Sequence, residues 1–302
     1  MLPAGLTTRA LTPDDLHAVF EVHHADELSF LDEPNVEVAD VQSFWQRPSF
    51  DLATSSIGVC DGDRLIAYAE LDSPDRGRAA VHPSSHRRGI GTWLANWLAA
   101  LSHERGAERV GMPVFEGGPG DRLLAGLGWE VRWTSWVLEL PAGTNVPART
   151  VPGFEIREAT PTEWPALHRV IDDAFLEWAD RESEAYADFV GEVIERPGFE
   201  PWQLRVAVDG SGTVVGGAVL MMALDRSGVP IDGYVDMLGV RRDQRGQGLA
   251  QALLADAFAA AFAHGAPRGS LSTDSRTGAL GLYEKVGMSV VQTWLHRASP
   301  PR

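Results

Sequence analysis

The chain has 302 residues, a formal net charge of −16 at pH 7 and a single cysteine, Cys60. This length favours two domains of about 150 residues each, and the acidic balance argues against nucleic acid or an anionic membrane as the main partner. One cysteine excludes an intramolecular disulfide and fits the reducing cytoplasm, where we expect the protein to act. The longest apolar runs are too short to span a bilayer, so no membrane contact is expected.

The first half opens with a helix signal. Thr12 and Pro13 are followed by two acids and then by apolar residues at helical spacing, which predicts a capped helix. Two β-like segments at residues 57–60 and 64–71 flank an Asp-Gly-Asp sequence and predict a hairpin. A further helix is predicted at residues 92–101, and the alternation that begins at Val131 predicts a closing strand.

Residues 142–152 are rich in turn formers and lack periodicity, which predicts a linker. We therefore expect an N-terminal domain at residues 1–142, a linker at 143–152 and a C-terminal domain at 153–302. The second half repeats the plan of the first, with a capped helix after Thr160. Its further predicted elements are a helical region at 177–194, a hairpin of 204–208 and 214–222, strands at 234–240, 270–273 and 289–296, and helices at 251–263 and 277–286.

Both halves carry the same glycine-containing turn. It reads VHPSSHRRGIG at residues 81–91 and VRRDQRGQGLA at residues 240–250, and Gly248 follows Gly89 by 159 residues. The same interval separates Leu124 from Tyr283, in two segments of similar pattern. An internal duplication explains these repeats.

Each turn follows a β-like segment and opens a helix, so its backbone N–H groups can hold an anion that the glycines allow to approach closely. Two familiar phosphate motifs are excluded. A P-loop needs Gly-Lys-Ser/Thr, and the only lysine, Lys285, is far from either turn. A dinucleotide fingerprint needs a third small residue, where Leu94 and Gln251 are found instead.

The turn at residues 240–250, together with the segment ALGLYEKVGM at 279–288, resembles the GNAT superfamily of acyl-CoA-dependent N-acyltransferases. The tandem arrangement is similar to that of the mycothiol synthases and related actinobacterial double-domain acetyltransferases. The resemblance implies two GNAT-like α/β (α+β) domains, each a mixed, mostly antiparallel sheet flanked by helices and splayed between its fourth and fifth strands.

The resemblance also implies that acetyl-CoA is the co-substrate and that no metal is needed. In the second half its diphosphate and pantetheine arm would be bound by Leu238, Gly239, Val240, Arg245, Gly246, Gln247, Gly248, Leu249, Ala250 and Ser275. We expect the first half to accept CoA as well, without catalysis, through Val81, Arg87, Arg88, Gly89, Ile90, Gly91 and Thr92.

Acyl transfer to an amine requires a base for the ammonium and an acid for the departing thiolate. Tyr283 matches the proton donor of the family, whereas its counterpart Leu124 has no proton to give, so we expect chemistry only in the second half. Tyr234 occupies the strand position where several family members carry a glutamate. Asp236 follows two residues later, on the same face by strand alternation, and is the preferred base, although a purely structural carboxylate remains the alternative.

The hypothesis that follows is an acetyl-CoA-dependent N-acetyltransferase acting on a small primary amine, as a monomer or homodimer. Glu177 and Asp180 are expected to recognise the amine, since they lie in a region that overhangs the acceptor site in this fold class. Two alternatives stay open: a non-catalytic acetyl-CoA binder or sensor, and an enzyme acting on a peptide or protein amine.

Overall fold

The computed structural model of the chain describes residues 2–141, 143–144, 148–177, 182–225 and 227–301. The chain divides into two compact units, of which unit 1 comprises Met1–Thr134 with Thr293–Arg302 and unit 2 comprises Ser135–Gln292. Each unit contains a mixed sheet flanked by helices, which confirms the predicted fold class. None of the helices in the described ranges is both long enough and apolar enough to cross a membrane.

The described residues of the two units form twelve strands. In chain order they are β1 Leu6–Arg9, β2 Ser56–Asp61, β3 Arg64–Ser73, β4 Arg76–Val81, β5 Gly111–Phe115, β6 Glu130–Leu140, β7 Phe154–Glu158, β8 Leu204–Asp209, β9 Val214–Leu224, β10 Pro230–Val240, β11 Gly269–Asp274 and β12 Ser289–Ala298.

The helices of the described residues alternate with these strands. They are α1 Leu16–Glu27, α2 Val38–Gln46, α3 Leu52–Ser55, α4 Ile90–Glu104, α5 Pro119–Gly126, α6 Trp164–Phe175, α7 Tyr186–Phe189, α8 Leu249–Ala263 and α9 Leu280–Lys285.

Both sheets are antiparallel except between their fourth and fifth strands. In unit 1, β4 runs parallel to β5 and the two are in register only at Arg76 and Gly111. In unit 2, β10 runs parallel to β11 and pairs with it only from Gly233 to Val235. The remainder of each fourth strand diverges from its parallel neighbour, as the family resemblance implied.

Each sheet is closed by a strand from the other half of the sequence. Residues 135–140 of β6 pair with β11 inside unit 2, and residues 294–298 of β12 pair with β5 inside unit 1. Alternation along a strand identifies the strand but not its partner, because either closing strand can satisfy the same edge. The predicted domain boundaries, 1–142 and 153–302, follow the sequence repeat and remain a prediction. In the compact units, the last strand of each comes from the other half of the sequence.

Helices cover both faces of each sheet. In unit 2, α8 packs through Leu254 and Phe258 on one face, while Leu167 and Ile171 of α6 pack on the other. Unit 1 repeats this arrangement with α4 and α1. This burial of apolar side chains is the main source of stability for each unit.

The duplication is visible in the hydrogen bonds at the first helix of each unit. Arg9 donates two hydrogen bonds of 2.6 Å to Asp15, which also accepts from the backbone N–H of Thr12. Arg157 donates two bonds of 2.8 Å to Glu163, which caps the equivalent helix start in unit 2. The Arg157 guanidinium lowers the pKa of Glu163 to about 2, so this cap stays ionised at neutral pH.

The predicted helical region at residues 177–194 is only partly helical. Among its described residues, 182–185 form no regular element and helical structure begins at Tyr186, continuing beyond α7 to Ile194. The helix α2 and the strand β5 had no counterpart in the sequence analysis, and their short lengths explain why.

Candidate active site

In unit 2 the glycine turn connects β10 to α8. Gly246 and Gly248 have φ angles of 78° and 91°, in the left-handed region that favours glycine, and Gly248 caps the N-terminus of α8. The first N–H groups of a helix have no partner within it, and together with the helix dipole they form an anion-binding site. The turn therefore has the backbone geometry that the predicted cradle requires, with Leu249 and Ala250 at the helix start.

An arginine that the sequence analysis missed lies over this turn. A Cβ atom on Gly248 would be 2.7 to 2.9 Å from three guanidinium atoms of Arg149, which also donates to the side chain of Gln251 in the first turn of α8. The only signal in the sequence was an arginine within the linker. Its charge adds to that of the helix terminus, so the turn is well suited to a diphosphate.

Arg245 joins the entry of the turn to the preceding helix. Its Nε donates to the carbonyl of Val240 at 2.9 Å, and its two terminal nitrogens donate to Glu177 at 2.8 and 3.1 Å. Glu177 is thus bonded to the entry of the glycine turn in this structure. The second residue proposed for amine recognition, Asp180, lies outside the described residues. Beside this ion pair is a cavity of about 470 Å³ lined by Val170, Asp173, Ala174, Glu177, Arg241, Arg242, Asp243 and Arg245.

The central strand β10 has an irregularity at the predicted base. Val235 is opposite Leu220 of β9 and Met237 is opposite Val219, so Asp236 is an extra residue accommodated in a β-bulge. A bulge interrupts the alternation of side chains, so strand alternation alone no longer places Asp236 on the face of Tyr234. Both side chains are partly buried and engaged in contacts.

Beyond the bulge, one edge of β10 faces the opening in the sheet. Strand β11 pairs with β10 no further than Val235, so within the described residues no strand adjoins that edge from Leu238 to Val240. An extended pantetheine chain could pair with such an edge as a further strand does. Ser275, another predicted ligand, is exposed directly after β11.

Tyr283 lies on α9 and is one of the partly buried residues, with Leu238, Leu280 and Val286, that pack against the apolar core of unit 2. Burial raises the pKa of Tyr283 above the ordinary value of 10.0, so the phenol is fully protonated at neutral pH. Its hydroxyl makes no hydrogen bond to any described residue. A protonated phenol with no acceptor in the described part of the chain remains able to donate to a bound ligand.

Unit 1 has a matching turn but differs from unit 2 at two positions, one in the turn and one on α5. Gly89 has the left-handed φ of 82° and caps α4, as Gly248 caps α8. Leu124, the counterpart of Tyr283, is only 2% exposed and belongs to the core of the unit. Arg87 replaces Gly246 and has a φ of 62°, the only positive φ of a non-glycine residue among the described residues.

We expect Arg87→Gly to stabilise unit 1, because a side chain in the left-handed region costs about 1 to 2 kcal/mol that glycine avoids. Glycine's larger entropy in the unfolded chain offsets part of this, which leaves a gain of about 0.5 to 1 kcal/mol. Urea unfolding of the wild type and the variant measures the difference. Arg122→Gly, within a helix of the same unit, should destabilise instead.

Another buried carboxylate was missed by the sequence analysis. Asp232, at the start of β10, accepts a hydrogen bond from Ser270 on β11, while its Oδ1 is buried and has no partner. Burial raises the pKa of Asp232 to about 6. No motif indicated it, because its environment depends on pairing with β11.

The comparisons with known proteins agree with this geometry. Residues 17–120 and 164–288 match the family model described as Acetyltransferase (GNAT) family. The mycothiol acetyltransferase of Thermobispora bispora is 31% identical over 240 residues, which cover 76% of this chain and 78% of that protein. A GCN5-related N-acetyltransferase from Sphaerobacter thermophilus is 26% identical with a TM-score of 0.73, covering 99% of this chain and 96% of the other.

A tandem GNAT protein from the clavulanic acid biosynthesis pathway has a TM-score of 0.71 at 16% identity, covering 97% of this chain and 98% of the other, which is a likeness of fold. A glycine turn after a splayed fourth strand, present twice, defines a tandem acyltransferase fold. The chain belongs to the GNAT family and is a tandem GNAT N-acetyltransferase.

Proposed function

We propose that the chain transfers the acetyl group of acetyl-CoA to a small-molecule primary amine, with its active site in the C-terminal GNAT domain. The observation that carries this proposal is the difference between the two halves at one position. Tyr283 offers a protonated phenol that has no acceptor among the described residues, where unit 1 has the buried core residue Leu124.

In this proposal the diphosphate of acetyl-CoA lies on the turn around Gly248, where the N-terminus of α8 and the guanidinium of Arg149 supply positive charge. The pantetheine arm follows the edge of β10 from Leu238 to Val240. Bulge N–H groups near Asp236 can then face the thioester carbonyl and stabilise the oxyanion.

The chemistry is a direct attack. The neutral amine forms a bond to the thioester carbon, the tetrahedral intermediate expels the CoA thiolate, and the C–S bond breaks as the amide forms. Tyr283 donates its proton to the departing sulfur, and the amine gives up a proton to a base or to water. Asp236 is our preferred base, acting through water, with Tyr234 as the alternative on the same strand.

The small-molecule acceptor is supported by the relatives, which are named for acetylation of mycothiol. Asp180 remains a proposed contact for the acceptor ammonium, and Glu177 would reach it only by leaving Arg245. The main alternative is a protein that binds acetyl-CoA without turnover. An uncommitted phenol in unit 2 favours the enzyme, since a binder has no use for an acid at that position.

A screen of primary amines with acetyl-CoA, read by release of free thiol, tests the proposal. Small aminated sugars and amino acids should include at least one amine that accelerates thiol release over hydrolysis, and mass spectrometry should show the acetamide. Peptides with free N-termini form the comparison set. Tight acetyl-CoA binding without thiol release for any amine would favour the binder, and turnover of peptides alone would favour the protein acceptor.

A further inference from the structure

The residue at the entry of each phosphate turn makes the same pair of contacts in both units. In unit 2, Arg245 bonds the last carbonyl of β10 and the carboxylate of Glu177, which follows α6. In unit 1, the Nε2 of His86 lies 2.8 Å from the carbonyl of Val81, the last residue of β4, and 3.2 Å from Oδ1 of Asp26 on α1. We call this arrangement the turn brace.

The two braces differ in how their charge depends on pH. An arginine–glutamate pair keeps a net charge of zero throughout the neutral range, because the guanidinium does not titrate there. A histidine–aspartate pair carries −1 when the imidazole is neutral and the carboxylate ionised, and +1 when both are protonated. Since both neighbours of Nε2 are acceptors, this nitrogen must carry a hydrogen in either state.

Burial brings the pKa of the Asp26 carboxylate close to neutral pH. Desolvation raises the pKa of Asp26 to about 6, against the opposing charge of His86. The other titratable or charged groups around the brace are His23 and Glu27 on α1, Tyr68 and Glu70 on β3, and His82 with Arg64 beside the turn. Glu27 has a lowered pKa and stays ionised.

We propose that Arg245 and His86 are equivalent positioning residues that tie the phosphate turn to the preceding helix, and that the histidine brace makes the affinity of unit 1 for the CoA diphosphate depend on pH. The inference rests on the proposed CoA sites. As the pH falls, the charge beside the turn of unit 1 becomes more positive by up to two units and attracts the anion more strongly. The arginine brace leaves unit 2 insensitive.

The experiment isolates each site and exchanges the braces. Gly248→Trp leaves only unit 1 to bind CoA, Gly89→Trp leaves only unit 2, and calorimetry at pH 5.5 and 8.0 gives the dissociation constant of each. The phosphates of CoA titrate identically in both experiments. The change in affinity of unit 1 between the two pH values, divided by that of unit 2, therefore reports only the contribution of the protein. We expect unit 1 to gain about tenfold more affinity than unit 2 at pH 5.5.

Exchange of the braces should exchange this behaviour. His86→Arg should make unit 1 as insensitive as unit 2, and Arg245→His should give unit 2 the pH dependence of unit 1. A residue with a merely structural role would change affinity equally at both pH values. Arg169→His, at an exposed position on α6, is the control for adding a histidine to unit 2.

Equal pH effects in both units, or braces whose exchange changes nothing, would overturn the inference while leaving the CoA sites intact. If unit 1 binds no CoA, the Arg245→His variant of unit 2 alone tests the proposal. An affinity for CoA that stays independent of pH in this variant refutes it. Absence of CoA binding by both units of the wild type would refute the proposed function itself.

Discussion

Tyr283→Phe is expected to lower turnover by about 10² to 10⁴-fold, the usual contribution of a positioned general acid. The variant removes one oxygen atom and keeps the ring packed against the core cluster of unit 2, so neither the fold nor the site should collapse. Acetyl-CoA affinity should barely change, because the phenol acts only as sulfur departs and not in the ground state. Steady-state kinetics with a good acceptor, together with calorimetry, measure both quantities.

The matched control is Tyr186→Phe, which removes another partly buried phenol from unit 2, packed against a different core cluster. It should keep full turnover. Leu124→Ala in unit 1 should cost about 2 to 5 kcal/mol of stability through the cavity it leaves, with little effect on turnover per folded molecule. Full activity of Tyr283→Phe would show that the acid is another group.

The pKa of Tyr283 gives this prediction a pH signature. Burial raises that pKa above 10.0, so the donor form is present at every lower pH and is lost only when the pH exceeds the raised value. Loss of the Tyr283 proton should therefore not reduce kcat between pH 7 and about 10. Any decline of the wild type within that interval must come from a different group.

Gly248→Trp is expected to abolish acetyl-CoA binding in unit 2. A side chain here requires a left-handed φ of 91° and collides with the guanidinium of Arg149, and an indole would fill the space where the diphosphate meets the start of α8. Calorimetric binding at this site should disappear, and catalysis with it. The backbone strain should lower stability by about 1 to 2 kcal/mol.

Gly212→Trp serves as the matched control for that strain. Gly212 lies in the hairpin between β8 and β9 of unit 2, has a φ of 82° and has open space around it. Its variant should lose similar stability but bind acetyl-CoA normally. Unchanged affinity of Gly248→Trp would refute the assignment of the turn, and loss of turnover in Gly89→Trp alone would move the active site to unit 1.

The braces explain why Glu177 was difficult to assign from sequence. Acidic residues after α6 look like a solvated surface or an amine-binding group, and nothing along the chain connects Glu177 to a turn 68 residues later. Only the fold brings the end of α6 to the entry of the turn. The same applies to Asp26 and His86 in unit 1, which are 60 residues apart.

Sequence by itself determined the duplication, the two glycine turns and the difference between Tyr283 and Leu124. Each of these features depends on short segments of sequence, since turn formation and hydrophobic periodicity are set by neighbours along the chain. The predicted β2–β3 and β8–β9 hairpins are likewise present because their strands are separated by short turns.

The tertiary structure decided which closing strand completes each sheet, that Asp236 lies in a β-bulge, and which groups surround the glycine turn of unit 2. These features arise from pairing and packing between distant segments, as when β12 closes unit 1 or Arg149 covers Gly248. A local pattern fixes the kind of element a segment forms, but the partner it meets depends on the free energy of the whole fold.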